Sequence, residues 1–329
     1  MNKRAYAFML AMVVATGGLA LSAGPAAAQK FPERAIRLVV PYAPGGATDI
    51  VARQVGVKLG EVLGQQVLIE NKPGANANLG GDFVAKSAPD GYTLLMGDLT
   101  LAVNPGLLKA MPFDPIKDLT PVGPVAHAPL ALVVHPGVQA GTLREFIELA
   151  RRNPGKLSYG SAGNGNPTQL AAEVMKTAAS LDILQVTYKG AGPAITDLTG
   201  GQISMIIAGV SSVHTFVTAG RLRALAVTGQ KRSATLPNVP TFQEAGLPLP
   251  EMNLGSWWGI FGPAGLPKDV VSRLNAALNT ALAATVLKEQ MQALSIEAEP
   301  GDAETLTDRM KSETAKWGRV IKAANITPQ

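Results

Sequence analysis

The chain has 329 residues, of which 47% are hydrophobic, with no cysteine and a formal net charge of +5. The lack of cysteine excludes disulfides, thiolate metal sites and a cysteine nucleophile. The charge is modest and scattered, with no run of Lys or Arg longer than two residues, so it does not indicate a nucleic-acid-binding surface.

The first 28 residues have the layout of a secretory signal peptide. Lys3 and Arg4 precede an apolar run, and the small residues Ala26 and Ala28 form an A-x-A cleavage site. A membrane anchor is the alternative, but glycines interrupt the run, and a spanning helix needs about 20 strongly apolar residues. We therefore predict export and cleavage after Ala28, which leaves a mature chain of 301 residues (329 − 28).

Strand and helix patterns alternate from Ile36 onward. The apolar run IRLVVPY is typical of a strand buried on both faces. The helix that follows has one apolar face and is predicted to end at Gly64. QVLIEN, YTLLMGD and LALVVHP predict further strands, and LGGDFVAKSAPDG predicts a short helix closed by a turn.

The middle of the chain repeats a strand and helix unit three times, from KLSYGSAG to the closing strand LRALAVTG. This alternation predicts βαβ units and mostly parallel sheets. A proline-rich segment, SATLPNVPTFQEAGLPLPEM, then breaks the rhythm before the strand LGSWWGIFGP. Trp257 and Trp258 alternate faces in that strand, which places one in the core and leaves the other able to face a cleft.

Three helical segments close the chain, near residues 269–283, 285–294 and 303–324. A first lobe that begins the chain, a second lobe inserted into it, and a return to the first explain this order. We predict an α/β fold with lobe 1 at 29–128 and 254–329 and lobe 2 at 129–253. The chain then crosses between the lobes near Ala128 and near Asn253.

Three glycine-rich corners stand where predicted strands enter helices: PYAPGGATD, SAGNGNPTQ and YKGAGP. In the second corner Asn166 can cap a helix that begins at Pro167, and Pro193 can begin the helix of the third. In open α/β sheets, ligands sit beyond the carboxyl ends of strands. Helix starts there offer unpaired N–H groups and partial positive charge to a carboxylate or phosphate. Any one corner could be only a tight turn, but the three together predict an anion-binding cleft.

Enzyme and cofactor motifs are incomplete. Tyr159 occupies the first Gly position of the G-x-S-x-G pattern around Ser161, and GNGNPT is one glycine short of a dinucleotide fingerprint. Asp49 could act as a general base, but acids in a first helical turn are common for structural reasons. The histidines match no metal spacing; they are His127, His135 and His214. We predict no catalytic site, no metal and no cofactor.

Five segments together resemble the tripartite tricarboxylate transporter substrate-binding proteins, the Bug or TctC-like family. They are FPERAIRLVVPYAPGGATDIVAR, NKPGANANLGGDFVAKSAPDGYTLLMG, YGSAGNGNPTQLAAE, TYKGAGPAITDLTGGQI, and VPTFQEAGLP with SWWGIFGPAGLPKDVVSRLNAAL. The resemblance covers essentially all of the mature chain. It implies a periplasmic solute receptor with the two-lobe, type II binding-protein fold, which captures organic anions and passes them to a membrane permease.

The resemblance also implies which residues contact the ligand. The first loop holds one carboxylate through backbone donors and bridging waters, GDLT at 97–100 lines the floor, and lobe 2 holds the anion from the opposite side. The predicted ligand-binding residues are Tyr42, Gly45, Gly46, Ala47, Thr48, Asp49, Thr100, Ser161, Ala162, Gly163, Asn166, Tyr188, Lys189, Gly190 and Ala208. Because adjacent carboxylates repel, we expect Asp49 to point away from the ligand, to bond donors such as the Thr48 hydroxyl, and to orient the loop.

The chain departs from the family pattern at four positions. Asn166 stands where Ser or Thr is usual, Gln169 where His is common, and Ser204 and Ala208 where the family has Asp-x-x-x-Asp. An acid lost at Ala208 removes a partner for a ligand amino group. This favours simple or aromatic carboxylates over amino acids.

Three functions remain open at this point. The leading one is a monomeric binding protein that feeds a permease, and the second is a receptor that signals to a membrane sensor. The third is an exported hydrolase that uses Ser161 or Asp49. A hydrolase needs a base beside its nucleophile, and the three histidines sit outside the three corners.

Overall fold

A computed structural model describes residues 31–163, 166–252 and 255–323. The predicted signal peptide with its cleavage after Ala28, the predicted crossing at Asn253 and the predicted end of the last helix at 324 lie outside the described residues.

Strands and helices alternate along most of the described chain. The strands are β1 Ile36–Val40, β2 Val67–Asn71, β3 Thr93–Asp98, β4 Leu119–Ala128, β5 Leu130–Val134, β6 Ser158–Ser161, β7 Leu184–Thr187, β8 Met205–Gly209, β9 Arg223–Val227, β10 Ser256–Pro263 and β11 Glu297–Ala298. The helices are α1 Ala47–Leu63, α2 Asn78–Ala85, α3 Thr100–Leu107, α4 Leu143–Arg152, α5 Pro167–Ala179, α6 Ala191–Thr199, α7 Val210–Thr218, α8 Lys268–Ala283, α9 Thr285–Gln292 and α10 Ala303–Ala323.

The strands form two sheets, which confirms the predicted two-lobe α/β class. The first sheet has the order β11-β4-β10-β3-β1-β2 and the second the order β7-β6-β8-β5-β9. Both are mixed rather than mostly parallel. Strand β1 runs parallel to β2 and β3, but β10 runs antiparallel to β3 and β4. In the second sheet β5 runs antiparallel to β8 and β9.

The mixed arrangement follows from strands that join the two sheets. Strands β4 and β5 are separated only by Pro129, so the chain passes directly from the first sheet to the second. Strand β10 returns from the second sheet and inserts between β3 and β4. Strands β4, β5 and β10 are not joined to the adjacent strands of their sheets by βαβ crossovers. The crossover of a βαβ unit is the connection that makes two strands parallel, so these three strands are free to run antiparallel to their neighbours. The lobe boundaries given above stay a prediction.

The helices beside the cleft begin and end at the residues that the sequence signals. Helix α1 buries Val51, Val55 and Leu59 and stops at Gly64, which has φ 70°. Helix α5 begins at Pro167, and the Asn166 side chain caps it by accepting a hydrogen bond from the Thr168 N–H.

Within the described residues, no single helix has the length and apolarity to cross a membrane. The bent pair α8 and α9, with 68° between its members, meets that criterion only when the two are taken together, by length and composition.

Candidate functional site

Asp98, at the carboxyl end of β3, is the buried centre of the first corner. One of its oxygens accepts hydrogen bonds from the Tyr42 hydroxyl and the Thr100 N–H, both at 3.0 Å. The other accepts one from the Thr48 hydroxyl at 3.3 Å. The Tyr42 and Thr100 hydroxyls are 2.7 Å apart, and Trp258 Nε1 donates to Thr48 Oγ1 at 3.0 Å. These bonds tie the loop after β1 to β3 and β10.

Burial controls the electrostatics of this centre. It raises the pKa of Asp98, because desolvation outweighs the hydrogen bonds that favour the carboxylate. Burial and the neighbouring Asp98 raise the pKa of Tyr42 well above its ordinary value. Tyr42 is therefore a neutral hydrogen-bonding group, and Asp98 anchors the floor of the site.

Asp49 points away from the cleft, and the hydrogen bonds that it accepts stabilise the conformation of the first loop. It accepts hydrogen bonds from the Gly45 N–H at 3.1 Å, from Arg53 at 2.9 and 3.0 Å, and from Asn71 at 2.9 Å. Burial alone would raise its pKa, but the bonds from Arg53, Asn71 and Gly45 lower it. We expected Asp49 to bond the Thr48 hydroxyl, but that hydroxyl donates to Asp98 instead.

The second corner is organised by side chains that bond to one another. Thr168 Oγ1 accepts a hydrogen bond from the Ala162 N–H at 2.8 Å and donates one to Asn166 Oδ1 at 2.7 Å. Ser161 is fully buried, and its hydroxyl accepts a bond from Gln185 Nε2 at 2.9 Å. Asn166 thus faces the cleft, whereas Ser161 lies beneath it.

The first and third corners touch each other across the cleft. The Ala43 N–H donates to the Lys189 carbonyl oxygen at 3.0 Å. A Cβ added to Gly190 would lie 3.1 Å from the Ala43 nitrogen, and one added to Gly192 only 2.3 Å from the Pro44 oxygen. The loops approach this closely because glycine occupies both positions.

A small cavity of about 30 Å³ lies where these corners meet. Its lining comes from both sheets: Tyr42, Gly46, Ala47, Thr48, Asp98, Leu130, Ala162, Asn166, Pro167, Thr168, Ala191, Gly209, Ser256 and Trp258. The first residues of α1, α5 and α6, and the residue before α7, are among them. No Lys or Arg belongs to this described lining, and its single acid, Asp98, is already bonded. The cavity therefore presents hydrogen-bond donors and the partial positive charge of helix N-termini, and none of its described lining residues is a Lys or Arg.

A wider groove of about 590 Å³ adjoins the cavity and shares Tyr42 and Ala162 with it. The groove is lined by the 74–79 segment on one side and by Gly163, Tyr188 and Lys189 on the other. The Lys189 side chain is exposed at its rim.

The predicted site residues thus fall into three groups. Those that line the cavity are Tyr42, Gly46, Ala47, Thr48, Ala162 and Asn166. Those that line the groove, apart from the two it shares with the cavity, are Gly163, Tyr188 and Lys189. Those that line neither and lie behind or beside them are Gly45, Asp49, Thr100, Ser161, Gly190 and Ala208. Ala208 packs in the hydrophobic core of the second sheet.

Sequence reasoning missed several lining residues. Ser256 comes from β10, which reaches the cleft only through tertiary pairing. In the same strand Trp258 lines the cavity and Trp257 does not, so Trp258 is the tryptophan that faces the cleft. Gly209 precedes α7 and forms a fourth strand-to-helix corner, which the pattern MIIAG followed by VSSV could have revealed.

The hydrogen-bond partners of Ser161 and Asp49 given above, among the described residues, include no histidine. His127 is in β4 beside Glu297 and Glu299. Among the described residues, no cluster of His, Asp and Glu could hold a metal ion.

A separate groove of about 850 Å³ lies near His127 and is rimmed by Lys231, Arg232 and Lys288. These three side chains are exposed to solvent. We place the site in the small cavity instead, because buried donors from both sheets converge there.

Two mixed sheets with a donor-lined cavity between their loops define a solute-binding protein of the periplasmic binding-protein class. The family model described as tripartite tricarboxylate transporter family receptor, TctC, matches residues 51–326. The chain belongs to this family of periplasmic solute-binding proteins.

Its relatives include proteins with bound carboxylates. The chain is 32% identical to BugT of Bordetella pertussis, with 98% of each chain covered. It resembles the structure of R. palustris Rpa4515 with adipate at 32% identity and TM-score 0.87, covering 91% of this chain and 100% of the other. It also resembles MatC of Rhodopseudomonas palustris with bound malate at 30% identity and TM-score 0.83, covering 88% and 100%.

Proposed function

We propose that this protein captures an organic carboxylate in the cleft between its two sheets, in the periplasm, and delivers it to a tripartite tricarboxylate-type membrane permease. The observation that carries the proposal is the cavity lined by helix starts from both sheets, with no cation among its described lining residues.

The electrostatics of the cavity favour an anion. Each helix N-terminus is equivalent to roughly half a positive charge and carries N–H groups without intrahelical acceptors. Several such ends around one point can hold a carboxylate without Lys or Arg. The adipate and malate bound by the two relatives are carboxylates, which supports the same ligand class here.

The size of the cavity suits one end of such a ligand. A space of about 30 Å³ accommodates a carboxylate-sized group, and the adjoining groove has room for the rest of a longer molecule. The bond between Ala43 and Lys189 joins the first and third corners. We therefore propose that the two lobes, at 29–128 with 254–329 and at 129–253, close on the ligand.

Native mass spectrometry of the freshly purified protein tests ligand capture, because a trapped carboxylate is weighed directly. Calorimetry with malate and adipate follows. A ligand at 100 times its Kd should add about 2.7 kcal/mol of apparent stability. Binding of neither compound, together with turnover of chromogenic esters, would contradict a binding protein and favour the hydrolase.

Delivery to a permease needs a separate experiment in cells. Deletion of a permease encoded beside this protein should abolish uptake of the bound carboxylate. Unchanged uptake with a lost transcriptional response would favour a sensor receptor instead.

A further inference from the structure

Two buried serines lie at the start of α7. Ser211 and Ser212 are 5% and 6% exposed. Neither hydroxyl has a hydrogen-bond partner within the part of the chain that the structure describes. A buried hydroxyl without a partner costs free energy, so such groups are normally satisfied.

Their place in the helix explains why the protein itself does not satisfy them. A serine inside a helix commonly bonds the carbonyl one turn earlier. Ser211 and Ser212 lie in the first turn of α7, where the preceding residues belong to β8. The first N–H of the helix, from Val210, donates outside it to the Pro129 carbonyl oxygen. The backbone N–H groups of Ser211 and Ser212 follow in the first turn, where a helix supplies no acceptor for them.

That end of α7 faces the start of α1 across the cleft. A Cβ added to Gly209 would lie 2.9 Å from Ala47 Cβ, 3.4 Å from Ser211 Oγ and 3.9 Å from Ser212 Oγ. Gly209 and Ala47 both line the small cavity. Neither serine belongs to the lining of that cavity, but both hydroxyls lie next to Gly209, which does, on the side opposite the helix that begins the first corner.

We infer that Ser211 and Ser212 are ligand-binding residues that donate hydrogen bonds to the carboxylate from the second sheet. This rests on the proposed function and deepens it. The carboxylate bridges the N-termini of α1 and α7, so that one anion bonds to both lobes and favours their closed arrangement. Neutral hydroxyls at a helix start bind a carboxylate without a charged partner.

The test compares Ser211→Ala, Ser212→Ala and the double variant with wild-type protein, using malate and adipate as probes in calorimetry. Thr215→Ala is the matched control, because it removes an exposed hydroxyl from the same helix. Loss of a hydrogen bond to a charged group weakens binding by about tenfold or more. We expect that loss in each single variant, a larger loss in the double variant, and none in the control.

Melting of the ligand-free proteins separates a binding role from a structural one. If the hydroxyls serve only the ligand, the ligand-free variants melt at the wild-type temperature or above it, because an unpaired buried group has been removed. Melting that falls along with affinity would make them structural and overturn the inference. Wild-type affinity in the double variant would overturn it too, yet leave the proposed function standing. Failure of wild-type protein to bind either probe would instead overturn the proposed function, and the inference with it.

Discussion

Trp258 Nε1 donates a hydrogen bond to Thr48 Oγ1 across 3.0 Å, although 210 positions separate the two residues. Thr48 in turn donates to Asp98, which is paired with Trp258 in adjacent strands. Indole, hydroxyl and carboxylate thus form a chain that anchors the first turn of α1 to the sheet. The strand that returns from the second sheet thereby positions the first corner of the cleft.

Replacing Trp258 with Phe should test that anchor, and Trp257→Phe is its matched control. Both indoles are 1% exposed, but Trp257 Nε1 has no hydrogen-bond partner among the described residues. Both changes remove the same atoms; Trp258→Phe removes the bond to Thr48, whereas Trp257→Phe alters a contact of the ring with Arg309, 5.9 Å from its centroid. We expect Trp258→Phe to lose about 1 kcal/mol more stability in urea unfolding, and to weaken malate or adipate binding. Equal losses would show that the bond contributes nothing.

Gly45 and Gly46 should respond differently to alanine, although they are neighbours. Gly45 has φ +88°, a conformation that strains any residue with a Cβ. Gly46 has φ −83°, and its added Cβ would meet Ala191 at an ordinary 3.7 Å. We expect thermal unfolding to show a loss of about 1 kcal/mol for Gly45→Ala and little change for Gly46→Ala. A larger loss at Gly46 would mean that the loop conformation differs from the one described here.

Gly192→Ala should keep the loops of the cleft apart. Its Cβ would lie 2.3 Å from the backbone oxygen of Pro44, which cannot move without moving the whole loop. Gly200→Ala at the other end of α6 is the control, since its nearest neighbour would be 3.6 Å away. Small-angle scattering should show a larger radius of gyration for Gly192→Ala than for the control, and calorimetry a weaker affinity. A scattering curve identical to wild type would contradict this.

Glu299→Gln should change the acid stability of the protein. Burial alone would raise the pKa of Glu299, but hydrogen bonds from Arg309 and His127 lower it from 4.5 to about 2. Because the folded-state pKa lies below the unfolded value, ionised Glu299 stabilises the fold above pH 4.5. This contribution, at most about 3 kcal/mol, is lost as the pH falls from 4.5 toward 2.

Urea unfolding at several pH values measures the effect. The acid limb should be flatter in Glu299→Gln than in wild type. Glu297→Gln is the control, because the Glu297 side chain also approaches His127 but is 74% exposed. An equal change in both variants would assign the effect to His127 rather than to the pair with Arg309.

The order of strands and helices and the location of the three corners are predictable from the amino-acid sequence. These depend on local features: apolar periodicity, glycine at positive φ, and proline after a capping residue. Gly64 ends α1, and Asn166 caps the helix that begins at Pro167, as the pattern predicts. The fold class and the family also follow from motifs spread along the whole chain.

Which side chains face the cavity depends instead on contacts between distant parts of the chain. Asp49 bonds Asn71 in β2 as well as Arg53 one turn along its own helix, and Ser161 bonds Gln185 in the adjacent strand β7. Strand β10 enters the first sheet antiparallel and brings Trp258 to Thr48. The contacts of Asn71, Gln185 and Trp258 join different strands and loops, and no local pattern encodes them, because long-range pairing depends on how the sheets assemble.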